Sequence, residues 1–266
     1  MAQAQLDKFL KYLQRQKWII FGPVFVEGEK EKEKISPYLA AHNENSAKGS
    51  KLNNKRVIIQ QINDIKNLAL GGFIPEYPFK NFFLPEKETL FVYKNNHFFE
   101  KINSHHKIAL FGVNDKDLKA INLYDLVFAN DKYYQARRKN LLIIGCPSPD
   151  FEEKKLPYLP FDIFLNQQTN NIYQILAGSI KGQRILEHFG YKNYEIIKFQ
   201  GPEYEIENND HLKKIYEKMA NFPQTEIWEK LGKICLECGK CSLVCPTCFC
   251  FRIDDKPALE NGGRER

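Results

Sequence analysis

The chain has 266 residues, 43% of them apolar and 13% aromatic, enough for a packed core and too much for wholesale disorder. Its 39 Lys and Arg against 33 Asp and Glu leave a net charge of +6. That charge is spread thinly, with Arg137-Arg138-Lys139 the densest basic spot, which argues against a nucleic-acid partner. No apolar run approaches the roughly 18 residues of a membrane helix, and M-A-Q-A-Q-L-D-K-F-L-K-Y-L lacks the apolar block and cleavage site of a secretory signal. The expectation is a cytoplasmic chain with no membrane insertion.

Leu6, Phe9, Leu10 and Leu13 recur at helical spacing and predict an amphipathic helix over 5–16. Trp18 to Val26 is apolar and β-branched and reads as a strand. Residues 27–55, beginning E-G-E-K-E-K-E-K, read as a polar insertion; a charged edge hairpin is the alternative for their first half. R-V-I-I-Q-Q at 56–61 predicts a strand. Gly71-Gly72, Pro75, Pro78 and Pro85 predict a long loop over 71–86. T-L-F-V-Y, a K-N-N turn and H-F-F-E-K-I predict a hairpin.

K-I-A-L-F-G-V at 107–113 predicts a buried strand, and Asn114 or Asp115 can cap a helix carrying Leu118, Ile121 and Leu126. A short helix over Tyr133 to Arg138 and a second buried strand at 141–145 follow. Strand, helix and strand at this spacing predict a parallel pair joined by a crossover. After Pro147, Pro149, Pro157 and Pro160, strands are expected at 161–165 and 171–176, and helices at 179–189 and from His211 to Leu231, the last interrupted near Pro223. The expected fold is α/β, with α+β as the alternative: a mixed-sheet scaffold over 1–230 and a small metal-binding segment over 231–266.

That segment contains C-L-E-C-G-K-C-S-L-V-C-P-T-C-F-C at 235–250, which holds six of the seven cysteines. Such crowding, with an odd total and one remote Cys146, does not suit a disulfide framework. The spacing Cys235-x2-Cys238-x2-Cys241-x3-Cys245-Pro246 matches the bacterial ferredoxin run for a cubane cluster. Three thiolates two residues apart can wrap three irons of one cube, and Gly239 permits the tight turn. The fourth cysteine, followed by proline, is carried away and in two-cluster ferredoxins binds the other cube. A zinc site pairing Cys235/Cys238 with Cys245/Cys248 would leave only six residues between the pairs, against roughly 12–20 in common zinc modules. A redox dithiol would leave four cysteines idle.

The fourth ligand of the first cube is left open. The sixteen residues after Cys250 contain no cysteine or histidine. Either Cys245, Cys248 or Cys250 folds back to complete one cube, or the reading frame is truncated; G-G-R-E-R fits that truncation and also a frayed tail. One [4Fe-4S] cluster is therefore expected from this chain, and two from a longer form.

The segment C-L-E-C-G-K-C-S-L-V-C-P-T-C-F-C-F resembles the iron–sulfur beta subunits of soluble sulfhydrogenase-type nickel-iron hydrogenases, a group that includes the corresponding iron–sulfur chain of anaerobic sulfite reductase. F-F-L-P-E-K-E-T-L-F at 82–91, A-L-F-G-V-N-D-K-D-L-K-A-I at 109–121, D-K-Y-Y-Q-A-R-R at 131–138 and P-F-D-I-F-L at 160–165 are similar to the same family, so the resemblance covers most of 80–250. It implies an electron-transfer role between two partners: a flavin and NAD(P)H-binding subunit, and a catalytic hydrogenase or sulfite reductase subunit. It also implies that Cys235, Cys238 and Cys241 bind one cluster and Cys245 the other, with Cys248 and Cys250 as further candidate ligands. The chain departs from the family in lacking a second cysteine run. It also carries Lys116-Asp117 where the family has a Cys-Asp pair, and Cys146 stands alone near the place of a cysteine-rich loop.

Other residues have plainer readings. Cys146 at a strand end reads as packing, Asp115 and Asp117 as helix caps, and His105-His106 as a solvated turn. Tyr133, Tyr134, Arg137 and Arg138 read as an exposed helix face. Gly71-Gly72 does not make a dinucleotide fingerprint.

Overall fold

The structure, a computed structural model, describes residues 1–27, 55–71, 73–95, 97–102, 106–169, 172–202, 209–221, 226–256 and 261–266. All but the edges of the polar insertion expected at 27–55 lies outside the described residues, as does His105.

The predicted amphipathic helix is α1 (Gln3–Arg15), with Leu6, Phe9, Leu10 and Leu13 all buried. It leads into β1 (Trp18–Glu27), which pairs antiparallel with β2 (Lys55–Gln61). β3 (Thr89–Lys94) and β4 (His97–Glu100) form the expected hairpin. The predicted crossover unit runs through β5 (Lys107–Asn114), α2 (Asp115–Val127), α3 (Lys132–Asn140) and β6 (Leu141–Cys146), with β5 and β6 parallel. β7 (Ile163–Thr169) and β8 (Ile172–Ala177) are antiparallel, and α4 (Ile180–His188) and β9 (Glu195–Ile196) follow. Among the described residues these make one seven-stranded mixed sheet in the order β2-β1-β5-β6-β7-β8-β9.

Side-chain alternation gives this sheet two buried faces. On one, α1 packs against Ile20, Ala109, Phe111, Leu142, Ile144, Ile163 and Ile175. On the other, Leu118, Ile121 and Tyr124 of α2 and Tyr134 of α3 pack against Leu110, Val113, Leu141, Ile143 and Phe164. Phe111 and Val113 lie two apart yet on opposite faces. The cause is a register shift at Gly112, whose φ of +78° suits a bulge. A Cβ there would come within 2.8 Å of Leu70 Cδ2.

The helix caps follow local chemistry. Asn114 Oδ1 accepts from Asp117 N at 2.9 Å, Asp131 accepts from the amides of Tyr133 and Tyr134, and Ser179 Oγ accepts from Gly182 N. The cap of α2 is thus Asn114, which corrects the reading of Asp115 and Asp117 as caps. Both are buried in the first turn, where Asp115 accepts from Ser148 N at 2.8 Å and Asp117 from Asn114 Nδ2 at 3.0 Å.

The exposed-face reading of α3 is also corrected. Tyr133 and Tyr134 are buried, Arg138 is paired with Asp125, and Arg137 Nε donates to Phe83 O. The 71–86 loop contains a 3-10 turn, Phe79–Phe82, that buries Phe79 and, just beyond it, Phe83.

The C-terminal part holds α5 (Asp210–Asn221), α6 (Glu226–Ile234) and α7 (Lys240–Val244), then β10 (Asp254–Lys256) and β11 (Asn261–Glu265). The G-G-R-E-R stretch, for which a frayed tail is one of two readings, lies in a strand as far as Glu265. β11 pairs antiparallel with β3 in a four-stranded sheet ordered β10-β11-β3-β4. No helix among the described residues is long and apolar enough to cross a membrane.

Candidate metal centre

α6 delivers the chain to Cys235. Glu237 (φ 52°) and Gly239 (φ 70°) then turn it sharply, and Glu237 N donates to Cys235 Sγ at 3.4 Å. This backbone N–H to sulfur contact is what stabilises an anionic thiolate. Cys241 stands in the first turn of α7, and Cys245 N donates to Cys241 O at 3.1 Å as the turn ends. Cys245 Sγ lies 3.2 Å from Thr247 Oγ1. The Cys245 thiol is held below its ordinary value, first by the Thr247 hydroxyl, then by backbone amides and the charge of Lys80, against the opposing effect of burial.

The scaffold seats this run by contacts that span the sequence. Lys80 Nζ, on the 3-10 turn, donates to Ser242 O and, at 3.2 Å, to Cys245 O. Phe128, just past α2, meets Phe249 edge-on at 5.9 Å and Phe251 at 6.3 Å. Arg266 stacks over Phe251 at 5.3 Å and Tyr133 at 5.7 Å while pairing with Glu88 and Asp131. Between segment and scaffold lies a cavity of about 510 Å³ lined by residues that include Lys80, Arg137, Cys248, Cys250 and Arg266.

The six cysteines of the run are free thiols: Cys235, Cys238, Cys241 and Cys250 are exposed, and Cys245 and Cys248 half-buried. Among the described residues no three of His, Cys, Asp or Glu converge into a ready ligand set. The donor set nevertheless fits an iron–sulfur cluster in kind. It is all soft thiol on a tightly turned backbone that already aims an amide at sulfur.

A family model described as "4Fe-4S dicluster domain" matches residues 234–266. A curated relative, "Sulfhydrogenase 2 subunit beta" of Pyrococcus furiosus, is 28% identical over 220 residues, 74% of this chain. Both matches agree with the resemblance of the cysteine run to iron–sulfur beta subunits. The chain's matched region spans 64% of that relative's length. No solved structure matches the chain. The C-terminal segment is thus a [4Fe-4S] region, as the cysteine spacing predicts.

The remaining candidates fall to packing or solvent. Cys146 is buried at the end of β6, and burial pushes its thiol up to about 12, with Asp115 and Asp117 adding to the shift and a hydrogen bond from the Gly71 backbone opposing it. It is inert as a ligand or nucleophile. His106 is exposed just before β5.

Sequence reasoning missed the seat itself: Lys80, Phe128, Arg266 and the scaffold face of the cysteine segment. The one available signal was T-C-F-C-F, where phenylalanines alternating with cysteines mark a backbone with one apolar and one thiol-bearing side.

Proposed function

We propose that the chain is the electron-transfer iron–sulfur subunit of a hydrogenase-type complex. It relays electrons between a subunit that binds flavin and NAD(P)H and a catalytic subunit of hydrogenase or sulfite reductase type. Cys235, Cys238 and Cys241 hold one cluster and Cys245 belongs to another, with Cys248 and Cys250 available as further ligands. Residues 1–230 act as the scaffold and 231–266 as the relay, in the cytoplasm. A bound cluster supplies one-electron acceptance and release; the chain's own residues hold it, orient it and leave one side open to a partner.

The observation that carries this reading is the run of six cysteines, four of them exposed, seated on the α/β body by Lys80 and Phe128. The apolar face of α6 adds support. Ile227, Trp228, Leu231 and Ile234 stand exposed directly before Cys235, surface of the kind that partner subunits cover.

Anaerobic reconstitution with iron and sulfide tests the proposal. The expected product is brown, contains both elements, and loses its broad visible absorption on adding dithionite. A colourless, zinc-loaded chain that takes up neither element would overturn it.

A further inference from the structure

Among the described residues, two buried side-chain polar atoms have no hydrogen-bond partner: Tyr124 Oη and Arg137 Nη2. Buried donors are nearly always satisfied, so each orphan calls for an explanation. Both lie on the scaffold face that receives the second half of the cysteine run.

Tyr124, on α2, is 1% exposed. Its ring lies 6.0 Å from that of Phe83, and Phe128, four residues on, is the residue on which Phe249 and Phe251 rest. Phe249, set between Cys248 and Cys250, packs against the same buried cluster as Tyr124. A phenol O–H can donate to an anionic neighbour. Arg137 spends Nε on Phe83 O at 2.9 Å and Nη1 on Glu88, and it lines the cavity that also holds Cys248 and Cys250.

We propose that Tyr124 Oη and Arg137 Nη2 donate hydrogen bonds to the sulfur of a cluster held by Cys245 with Cys248 or Cys250. This rests on the reading of those cysteines as cluster ligands. Donors aimed at sulfur stabilise the reduced state, which carries one more negative charge, and so raise the potential. The two residues are positioning and tuning groups, not ligands.

The test is Tyr124→Phe in the full chain, reconstituted anaerobically beside the wild type and titrated with dithionite. The expected result is an unchanged content of iron and sulfide with a more negative potential. A tenfold loss of the reduced form at a fixed poise corresponds to 59 mV for one electron. The deuterium sensitivity of the iron–sulfur stretching bands should fall as well. The apo variant should be no less stable than wild type, because the hydroxyl it loses bonds nothing there, and a packing role for the hydroxyl would predict the reverse. Arg137→Lys, which keeps the charge facing Glu88 and withdraws Nη2, should shift the potential the same way. A fully loaded Tyr124→Phe with unaltered potential and bands overturns this inference alone. A wild type that takes up neither iron nor sulfide overturns the cluster reading beneath it.

Discussion

β6 buries six residues in a row, Leu141 to Cys146, whereas α6 and α7 bury none. The sheet region is held by apolar side chains that satisfy one another across two faces. The cysteine segment borrows its anchorage, from Lys80 on one side and Phe128 on the other, and has almost no hydrophobic interior of its own. A region so built depends on what its thiols bind, because metal binding and folding share one free energy there. The contrast teaches that the scaffold's stability and the segment's order are separable properties.

The strongest challenge to that separation is metal removal. In the reconstituted chain, Cys238→Ser or an iron chelator should strip most of the first cluster's iron and open residues 226–256 to protease, while the far-ultraviolet signature of the sheet persists. If the whole chain melts together, the two regions are one unit.

Phe111→Ala probes the opposite side. Emptying this fully buried position should cost about 3–5 kcal/mol in denaturant unfolding, with the iron content of the folded fraction unchanged.

Asp117 sharpens the comparison by pH. Burial first, with Asp115 adding, raises its carboxyl to about 7, against the lowering effect of hydrogen bonds from Phe79 N and Asn114. The folded value stands above the unfolded one, so the neutral acid favours the fold. Its contribution is complete below about pH 4 and is lost as pH rises through about 7, a span on the order of 4 kcal/mol at most. Asp117→Asn should flatten this part of the stability–pH curve, measured by urea melts from pH 4 to 8, without altering the segment's protease pattern.

Lys80→Met should have the smallest effect on global stability, about 1 kcal/mol. Hydrogen exchange should show its weight falling on residues 240–250, whose carbonyls it holds.

Much of this architecture was legible because apolar runs are loud. K-I-A-L-F-G-V and L-L-I-I-G announce buried parallel strands, and Leu6, Phe9, Leu10 and Leu13 announce a helix. The cysteine run was equally plain, since its spacing encodes the geometry of a cube. Of the small sheet only the β3–β4 hairpin was legible. N-G-G-R-E has no apolar period, and β11 is fixed instead by pairing to β3 and by the Arg266 pairs to Glu88 and Asp131. The α3 face was misread for a related reason: a run of Tyr, Arg and Lys looks solvated until Asp125 on the preceding helix and the more distant Glu88 claim the two arginines.

The strand that closes the small sheet has consequences for how the molecule is made. Glu88 and Arg266 lie 178 positions apart, and contacts of such separation form late because the intervening loop must first be closed. During synthesis the six cysteines of the run emerge before β11 does. The thiols therefore pass through an interval held by Lys80 and Phe128 alone, open to whatever delivers iron and sulfide, before β11 completes their seat.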